Sequence, residues 1–436
     1  MAREILETKR KALKINLDAN IYGTFAEIGA GQEVARNFFT AGAASGTVAK
    51  TMSAYDMVFS NSIYGTESSG RYVTKSRLEK MLQHEFELLT ERLDGPQYAT
   101  KTFFAFADTV TTLNFNKSND PHGWLGIRFQ TQPGGPSNDI VFHVRLLDSD
   151  ASLQQNVLGV LGVNLVYAAY FYHQDIQTMI ESLVDNLAIG SVEIDMISLN
   201  GPAFAGADDR LVNLYLIAKG FSSAAIFNPE GEACQSKDLL YKKDVMILRT
   251  KYGQKSTPNF HLFNTAIEQF KRSQKLKDEN VMVLIEVLMT NLLEDQDELS
   301  AEDLKSFAVR AEELYKTGNY VIVSNYTRNH KLAQFLSRCK PNSVGISTNI
   351  ANLRNIFNSK NYGENYTDEL LAYVSDLFSK NVKLYAYPYL DKSSNTIINT
   401  QNMPVSPEAK PLFDFLVSNA YITDIEDFDA KDVKSI

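Results

Sequence analysis

The stretch TFAEIGAGQEVARNFF, Thr24 to Phe39, ends an apolar run in Gly29-Ala30-Gly31 and passes directly into a helical pattern. Nucleotide-binding turns begin this way: one glycine permits the tight bend, the next lets the backbone approach a ligand, and the helix start offers free N–H groups to an anion. Gly29 and Gly31 are therefore candidate ligand-binding residues. Against this, Gln32 and Glu33 stand where a further glycine belongs, and an acidic helix start repels phosphate. The competing reading is a turn packed tightly against its neighbours. The run GAASGTVAKT, 42 to 51, has the look of a phosphate loop but fails its geometry. The lysine of such a loop must follow glycine directly to reach the phosphates, and Lys50 follows Ala49.

A second group lies on two strands, GWLGIRFQ (123 to 130) and DIVFHVRLL (139 to 147), joined by the turn TQPGGPSN. Alternation at period two puts Leu125, Ile127, Phe129, Ile140, Phe142, Val144 and Leu146 on apolar faces. Trp124, Arg128, Gln130, His143 and Arg145 fall opposite. Arg128, His143 and Arg145 are thus candidate ligands for phosphate or carboxylate, since guanidinium forks match planar anions. The alternative is two arginines paired with carboxylates on the same sheet.

A third group follows from the rule that ligands of parallel sheets sit beyond the carboxyl ends of the strands. On that rule Glu193, Asp195, Asn228, Glu286, Ser324, Asn325, Arg328, Thr348, Asn349 and Tyr387 gather at one rim, with Asn325, Arg328 and Thr348 the candidate ligand contacts. No histidine stands at metal-ligand spacing from another, so no metal site is expected, and no GxSxG nucleophile is present. Cys234 and Cys339 read as reduced core thiols.

The elements that must position these groups read as an α/β chain. Residues 1–95 form a mostly helical N-terminal region, and 96–275 an α/β domain containing the antiparallel hairpin. Residues 276–395 form a C-terminal βα domain, followed by a tail over 396–436. In the second half, VMVLIEVL (281 to 288), YVIVSN (320 to 325), SVGISTN (343 to 349) and VKLYAYP (382 to 388) alternate with helical stretches. That rhythm implies a mostly parallel sheet with crossover helices. Ser300 and Asp303 are spaced as a capping box, and Val157 to Tyr172 as a buried helix.

With 436 residues, 44% of them hydrophobic and 22% charged, the chain can fill more than one core. Its net charge of -9 repels nucleic acid and anionic membrane. The N-terminus, MAREILETKRKALKINLD, lacks the apolar core of a signal peptide, and the longest apolar run falls short of a membrane span. The expectation is a cytoplasmic protein with no nucleic-acid partner and no membrane span.

Some of these segments carry a resemblance. The wording EIGAG resembles the first motif of S-adenosylmethionine-dependent methyltransferases. Nearly the whole chain, through FAEIGAGQEVARNFFTAGAASGTVAKTMSAYDMVFSNSIYG, GPAFAG (201 to 206), LLYKKDVMILR (239 to 249) and VKLYAYPYLD (382 to 391), resembles a bacterial family. Its members carry the label nicotinate-nucleotide adenylyltransferase, or sometimes TonB-dependent receptor. A receptor barrel needs export and many amphipathic strands, which this sequence does not offer. The transferase label implies ATP, with Mg, and a pyridine mononucleotide as ligands. It also implies a histidine on the triphosphate and an arginine near the leaving pyrophosphate. The matching stretches are YGQKSTPNFHLF (252 to 263) and GISTNIANLR (345 to 354), so the candidates are His261, Arg354 and Lys255. Thr257 and His261 are four apart where the family motif needs three, and Arg354 is displaced from Ser347-Thr348.

Two functions remain open on the sequence. One is a nucleotide-related, adenylyltransferase-like enzyme. The other is a non-catalytic, self-assembling scaffold derived from such a fold, a homo-oligomer whose aromatic residues, 11% of the chain, make subunit contacts.

Overall fold

The run IYGTFAEIG sets the β-favouring Ile21, Tyr22, Thr24, Phe25 and Ile28 among small residues and one glutamate, and in the computed structural model it is a buried strand, β1 (Ile21–Gly29). The structure describes residues 3–251, 260–277, 281–289, 300–362, 365–379, 381–391 and 394–426. They fall into two compact units, Met1–Ser222 and Ser223–Ile436. The one division between the units lies at residues 222 and 223, where the sequence divisions stand near 95, 275 and 395. The 1–95 region is helical around β1 and β2 (Val48–Ser53), and these two strands extend the sheet that also holds the hairpin.

In the first unit β1 and β2 are followed by β3 (Thr102–Thr111), β4 (His122–Gln130), β5 (Ser137–Leu146) and β6 (Val192–Asn200). The sheet order is β2-β1-β3-β4-β5-β6. β1 pairs in parallel with β2 and β3, and the remaining pairs are antiparallel. Helices α1 (Thr8–Asn16), α2 (Glu33–Ala41), α3 (Met57–Tyr64), α4 (Lys75–Arg92), α5 (Ala151–Phe171), α6 (Ile176–Leu183) and α7 (Asp209–Ala218) surround it. β2 and β3 flank β1 on opposite sides, so right-handed crossovers require their helices on opposite faces. Accordingly Phe38 of α2 packs on Phe25, while Leu78 and Leu82 of α4 press on Gly126 on the other face. The apolar run at 157 to 172 is the buried α5, begun by Asp150, whose carboxylate caps the N–H groups of Ser152 and Leu153.

In the second unit β7 (Ala224–Phe227), β8 (Ala233–Cys234) and α8 (Ser236–Leu240) precede a regular alternation. It runs β9 (Asp244–Lys251), α9 (Phe260–Gln274), β10 (Val281–Leu288), α10 (Ala301–Tyr315), β11 (Tyr320–Ser324), α11 (Asn329–Arg338), β12 (Ser343–Asn349), α12 (Ile350–Ile356), α13 (Tyr366–Leu377) and β13 (Val382–Tyr387). The hairpin β14 (Tyr389–Asp391) and β15 (Thr396–Ile398), then α14 (Lys410–Ser418) and β16 (Ile422–Asp424), complete it. The sheet order is β16-β13-β12-β9-β10-β11-β7-β8. Six of these strands are parallel, with β7 and β8 antiparallel at one edge. Read along the chain, the parallel strands stand in the order 3-2-1-4-5-6, the doubly wound arrangement with its switch point between the first and fourth, here β9 and β12. Ile247, Leu284, Ile322, Ile346 and Leu384 form a core with α11 to α14 on one face; on the other, Phe270 of α9 packs edge-on against Tyr385. The capping box is present, Ser300 accepting from Asp303 N–H and Asp303 from Ser300 N–H.

Candidate functional site

The glycine turn of the first unit lies over acid. Glu27 and Asp108 are register partners on β1 and β3, 3% and 0% exposed, on the face that carries α2. Gly31 sits directly on Asp108, since a Cβ there would lie 1.9 Å from Oδ2, and Gly29, at φ +92°, would put one 2.0 Å from the Val110 carbonyl oxygen. Neither oxygen of Asp108 has a hydrogen-bond partner, nor does Oε1 of Glu27. Burial, then the charge of Glu27, holds the Asp108 carboxyl well above the ordinary range. Burial likewise raises Glu27 to about 7, opposed by the backbone N–H of Ala35 in the first turn of α2. Two buried carboxyls beneath the helix start are the reverse of a phosphate cradle, and Gly29 and Gly31 serve close packing.

The hairpin register is the one that alternation demands: Trp124 lies opposite His143, and Arg128 opposite Asp139. The arginines are engaged within the sheet. Arg128 grips Asp139 with both arms, Nε to Oδ1 at 2.8 Å and Nη2 to Oδ2 at 2.7 Å, and Arg145 pairs with Glu193. The cationic patch expected of Arg128 and Arg145 is therefore matched by carboxylates. His143 belongs to a hydrogen-bonded chain instead: its Nδ1 meets Asp195 Oδ1 at 2.5 Å and its Nε2 meets His122 Nδ1 at 3.0 Å. All three are buried, with the Trp124 ring edge-on to His143. Asp195 reaches His143 because it is the extra residue of a bulge between the His143–Met196 and Val144–Ile194 pairs, and bulges re-aim side chains in this way.

In the second unit the switch point is polar. Arg249 near the end of β9 bonds through Nε to Glu286 of β10, through Nη1 to Asn329 and through Nη2 to the carbonyl of Tyr326. Ser324 donates to Glu286 at 2.6 Å, and the hydroxyl of Ser347 accepts from Arg249 N–H at 3.3 Å. Glu286 is 0% exposed, so this network fixes the ends of β9, β10 and β11 and the first residue of α11 together. Beside it, Thr348 of β12 is 4% exposed and its hydroxyl has no partner. The N-terminus of α11 carries no side-chain cap, and the exposed Arg328 is its N-cap residue. His330, in the same first turn, has its ring 4.2 Å from that of Tyr373 and Nδ1 without a partner. Burial, reinforced by Lys331, lowers it to about 4.

Several residues of the expected rim do belong here: Glu286, Ser324, Asn325, Arg328, Thr348, Asn349 and Tyr387 stand at or just past the carboxyl ends of β10 to β13. Others do not. Glu193 and Asp195 belong to β6 of the first unit, and Asn228 follows β7, which runs antiparallel to β11 and so ends at the opposite edge. Of the adenylyltransferase-like candidates, His261 is in the first turn of α9, and Arg354 is exposed on α12. Lys255 lies outside the described residues. Among the described residues no group of three His, Cys, Asp or Glu could hold a metal ion, and no helix is long and apolar enough to cross a membrane. Cys234 and Cys339 form no disulfide. The Glu27–Asp108 pair and the Asp195–His143–His122 chain were not legible in the sequence. The members of each are brought together from strands far apart in the chain.

No family profile matches the chain, and no curated protein matches it. Matches among solved structures are competence/damage-inducible proteins of the CinA type. One, the competence/damage inducible protein CihA from Agrobacterium tumefaciens, is 15% identical, covers 38% of this chain and 98% of its own, and superposes with a TM-score of 0.29. A CinA superfamily protein from Klebsiella pneumoniae is 10% identical over 37% of this chain and 96% of its own, with a TM-score of 0.29. At such scores the likeness carries no inference about this chain.

Proposed function

We propose that the second unit binds a nucleotide at the β9/β12 switch point, with an adenylyltransferase-like reaction between ATP and a pyridine mononucleotide as the specific form of that activity. The observation that carries the reading is the 3-2-1-4-5-6 strand order with a buried, unsatisfied Thr348 hydroxyl at its switch point. In doubly wound sheets ligands lie beyond the carboxyl ends of the strands at that point. The uncapped first turn of α11, beside the exposed Arg328, suits a phosphate group. The Arg249–Glu286 network supplies rigidity rather than contact, because its charges are already matched. On this reading Thr348 bonds the ligand, and His261 and Arg354, on the two helices that follow β9 and β12, are the residues that would act on the phosphates.

Titration calorimetry of the whole chain with MgATP, and separately with nicotinate mononucleotide, tests this. Saturable heat with at least one ligand is expected. Thr348→Val, which keeps shape and removes one hydrogen bond, is expected to weaken binding about fivefold to tenfold, since such a bond is worth roughly 1 kcal/mol. Absence of heat with both ligands at millimolar concentration ends the reading. Binding without dinucleotide product, unchanged by His261→Ala or Arg354→Ala, keeps the binding and removes the transferase.

A further inference from the structure

The first unit has a buried acidic pair that no nucleotide chemistry uses. Glu27 and Asp108 stand side by side on parallel strands, and their surroundings can be taken element by element. On β2 the register neighbour of Glu27 is Ser53, and on β4 that of Asp108 is Leu125. Lys50, also on β2, is turned to Glu85 of α4. From α2 come Glu33, whose like charge opposes ionisation of Glu27, and the N–H of Ala35, which favours it. From β1 itself comes the N–H of Ile28 toward Asp108. Helix α5, packed on α2 at Gly159 and Gly162, has no Asp, Glu, Lys, Arg or His in its sequence.

These surroundings accommodate one negative charge and not two. The start of α2, positive by its dipole and its N–H groups, stabilises a single carboxylate. It also disfavours a metal cation, which would face that positive end with only two carboxylates to hold it. Two neighbouring buried carboxyls without a cation between them keep a proton on one of them, because two like charges on adjacent strands in a site closed to water cannot both ionise cheaply. We propose that Glu27 and Asp108 hold one proton between them at neutral pH and act as a pH-sensitive latch on the turn 28–32. Loss of that proton sets two charges against each other directly beneath Gly31 and releases the first turn of α2. Gly31 couples the two events, since its backbone rests on the Asp108 carboxyl with no side chain between.

The test uses the full chain with two variants, Asp108→Asn and Glu27→Gln, each removing one ionisation while keeping shape. Infrared spectra of aspartate- and glutamate-labelled protein are expected to contain a buried carboxylic-acid band at pH 7 that titrates away in alkaline solution and is lost in Asp108→Asn. Hydrogen exchange at residues 29 to 35, corrected for intrinsic base catalysis, is expected to accelerate at least tenfold between pH 6 and pH 8.5 in the unmodified protein. It should stay flat in whichever variant folds. Absence of the acid band at pH 7, or equal acceleration in protein and variant, overturns the proposal. So does saturable binding of Mn2+, Mg2+ or Ca2+ that Asp108→Asn abolishes, which would make the pair a cation site. None of these outcomes touches the nucleotide reading, which belongs to the other unit.

Discussion

Each unit has a rim formed by the carboxyl ends of parallel strands, and the two rims are built with opposite chemistry. In the first unit the carboxyl ends of β1 and β3 carry a glycine-rich turn over two buried carboxyls, of which both oxygens of Asp108 and Oε1 of Glu27 have no hydrogen-bond partner. In the second, the ends of β9, β10 and β12 carry no glycine motif within the described residues. Their buried carboxylate, Glu286, is matched by Arg249 and Ser324. Glycines mark where backbone must come close to something, and what they come close to is decided by the neighbouring strand. Gly31 comes close to Asp108.

Removal of a carboxylate should therefore have opposite consequences at the two rims. Glu286→Ala is expected to cost about 3–5 kcal/mol, the usual penalty for leaving one half of a buried ion pair uncompensated. Asp108→Asn is expected to be neutral near pH 6 and stabilising above it. Urea denaturation measures both, and because Trp124 is the sole tryptophan in the chain, its fluorescence follows the first unit separately. An equal loss of stability in the two variants would erase the distinction between a matched and an unmatched carboxylate.

Gly29→Ala sharpens the same comparison. Its Cβ would meet the backbone oxygen of Val110 at 2.0 Å from a left-handed φ of +92°, so neither side can yield cheaply. The expected cost is about 3 kcal/mol, at the upper end for overpacking, with nucleotide binding by the surviving protein unchanged. If Gly29→Ala instead abolished nucleotide binding while tryptophan fluorescence showed the first unit intact, the glycine turn would regain the role that its spelling suggests.

The sequence made some of this legible for physical reasons. Alternation at period two is a local property, so the faces of β4 and β5, including the shared side of Trp124 and His143, could be read directly. The βα rhythm after residue 280 likewise specified parallel strands. β1 and β2 were harder: IYGTFAEIG is interrupted by Gly23 and Glu27, and VAKTMS is short and poor in branched residues, so pairing in the sheet does more than propensity to make them strands. The acidic and histidine clusters were out of reach. Glu27 and Asp108 meet only through the parallel register of β1 and β3, and Asp195 meets His143 only through a bulge. The arginines of the hairpin were correctly placed on one face, but their carboxylate partners became visible only with the strand pairing.

The two rims also titrate in opposite directions, which gives the finest probe of their difference. His330 is held neutral by burial at about 4, below its ordinary 6.5. A base with a depressed folded-state pKa contributes stability that is present above 6.5 and lost as pH falls from there toward 4, because the unfolded chain takes up the proton first. Glu27 is raised to about 7 from 4.5. Its contribution is present below 4.5 and lost as pH rises through 7. Acid should thus loosen the first turn of α11 while alkali loosens the first turn of α2. Hydrogen exchange resolved by segment at pH 5 and pH 8 reads both at once, and His330→Phe, which keeps a ring against Tyr373, should remove the acid limb alone. If both segments loosened on the same side of neutrality, the contrast between a matched polar rim and an unmatched acidic one could not be what sets their stability.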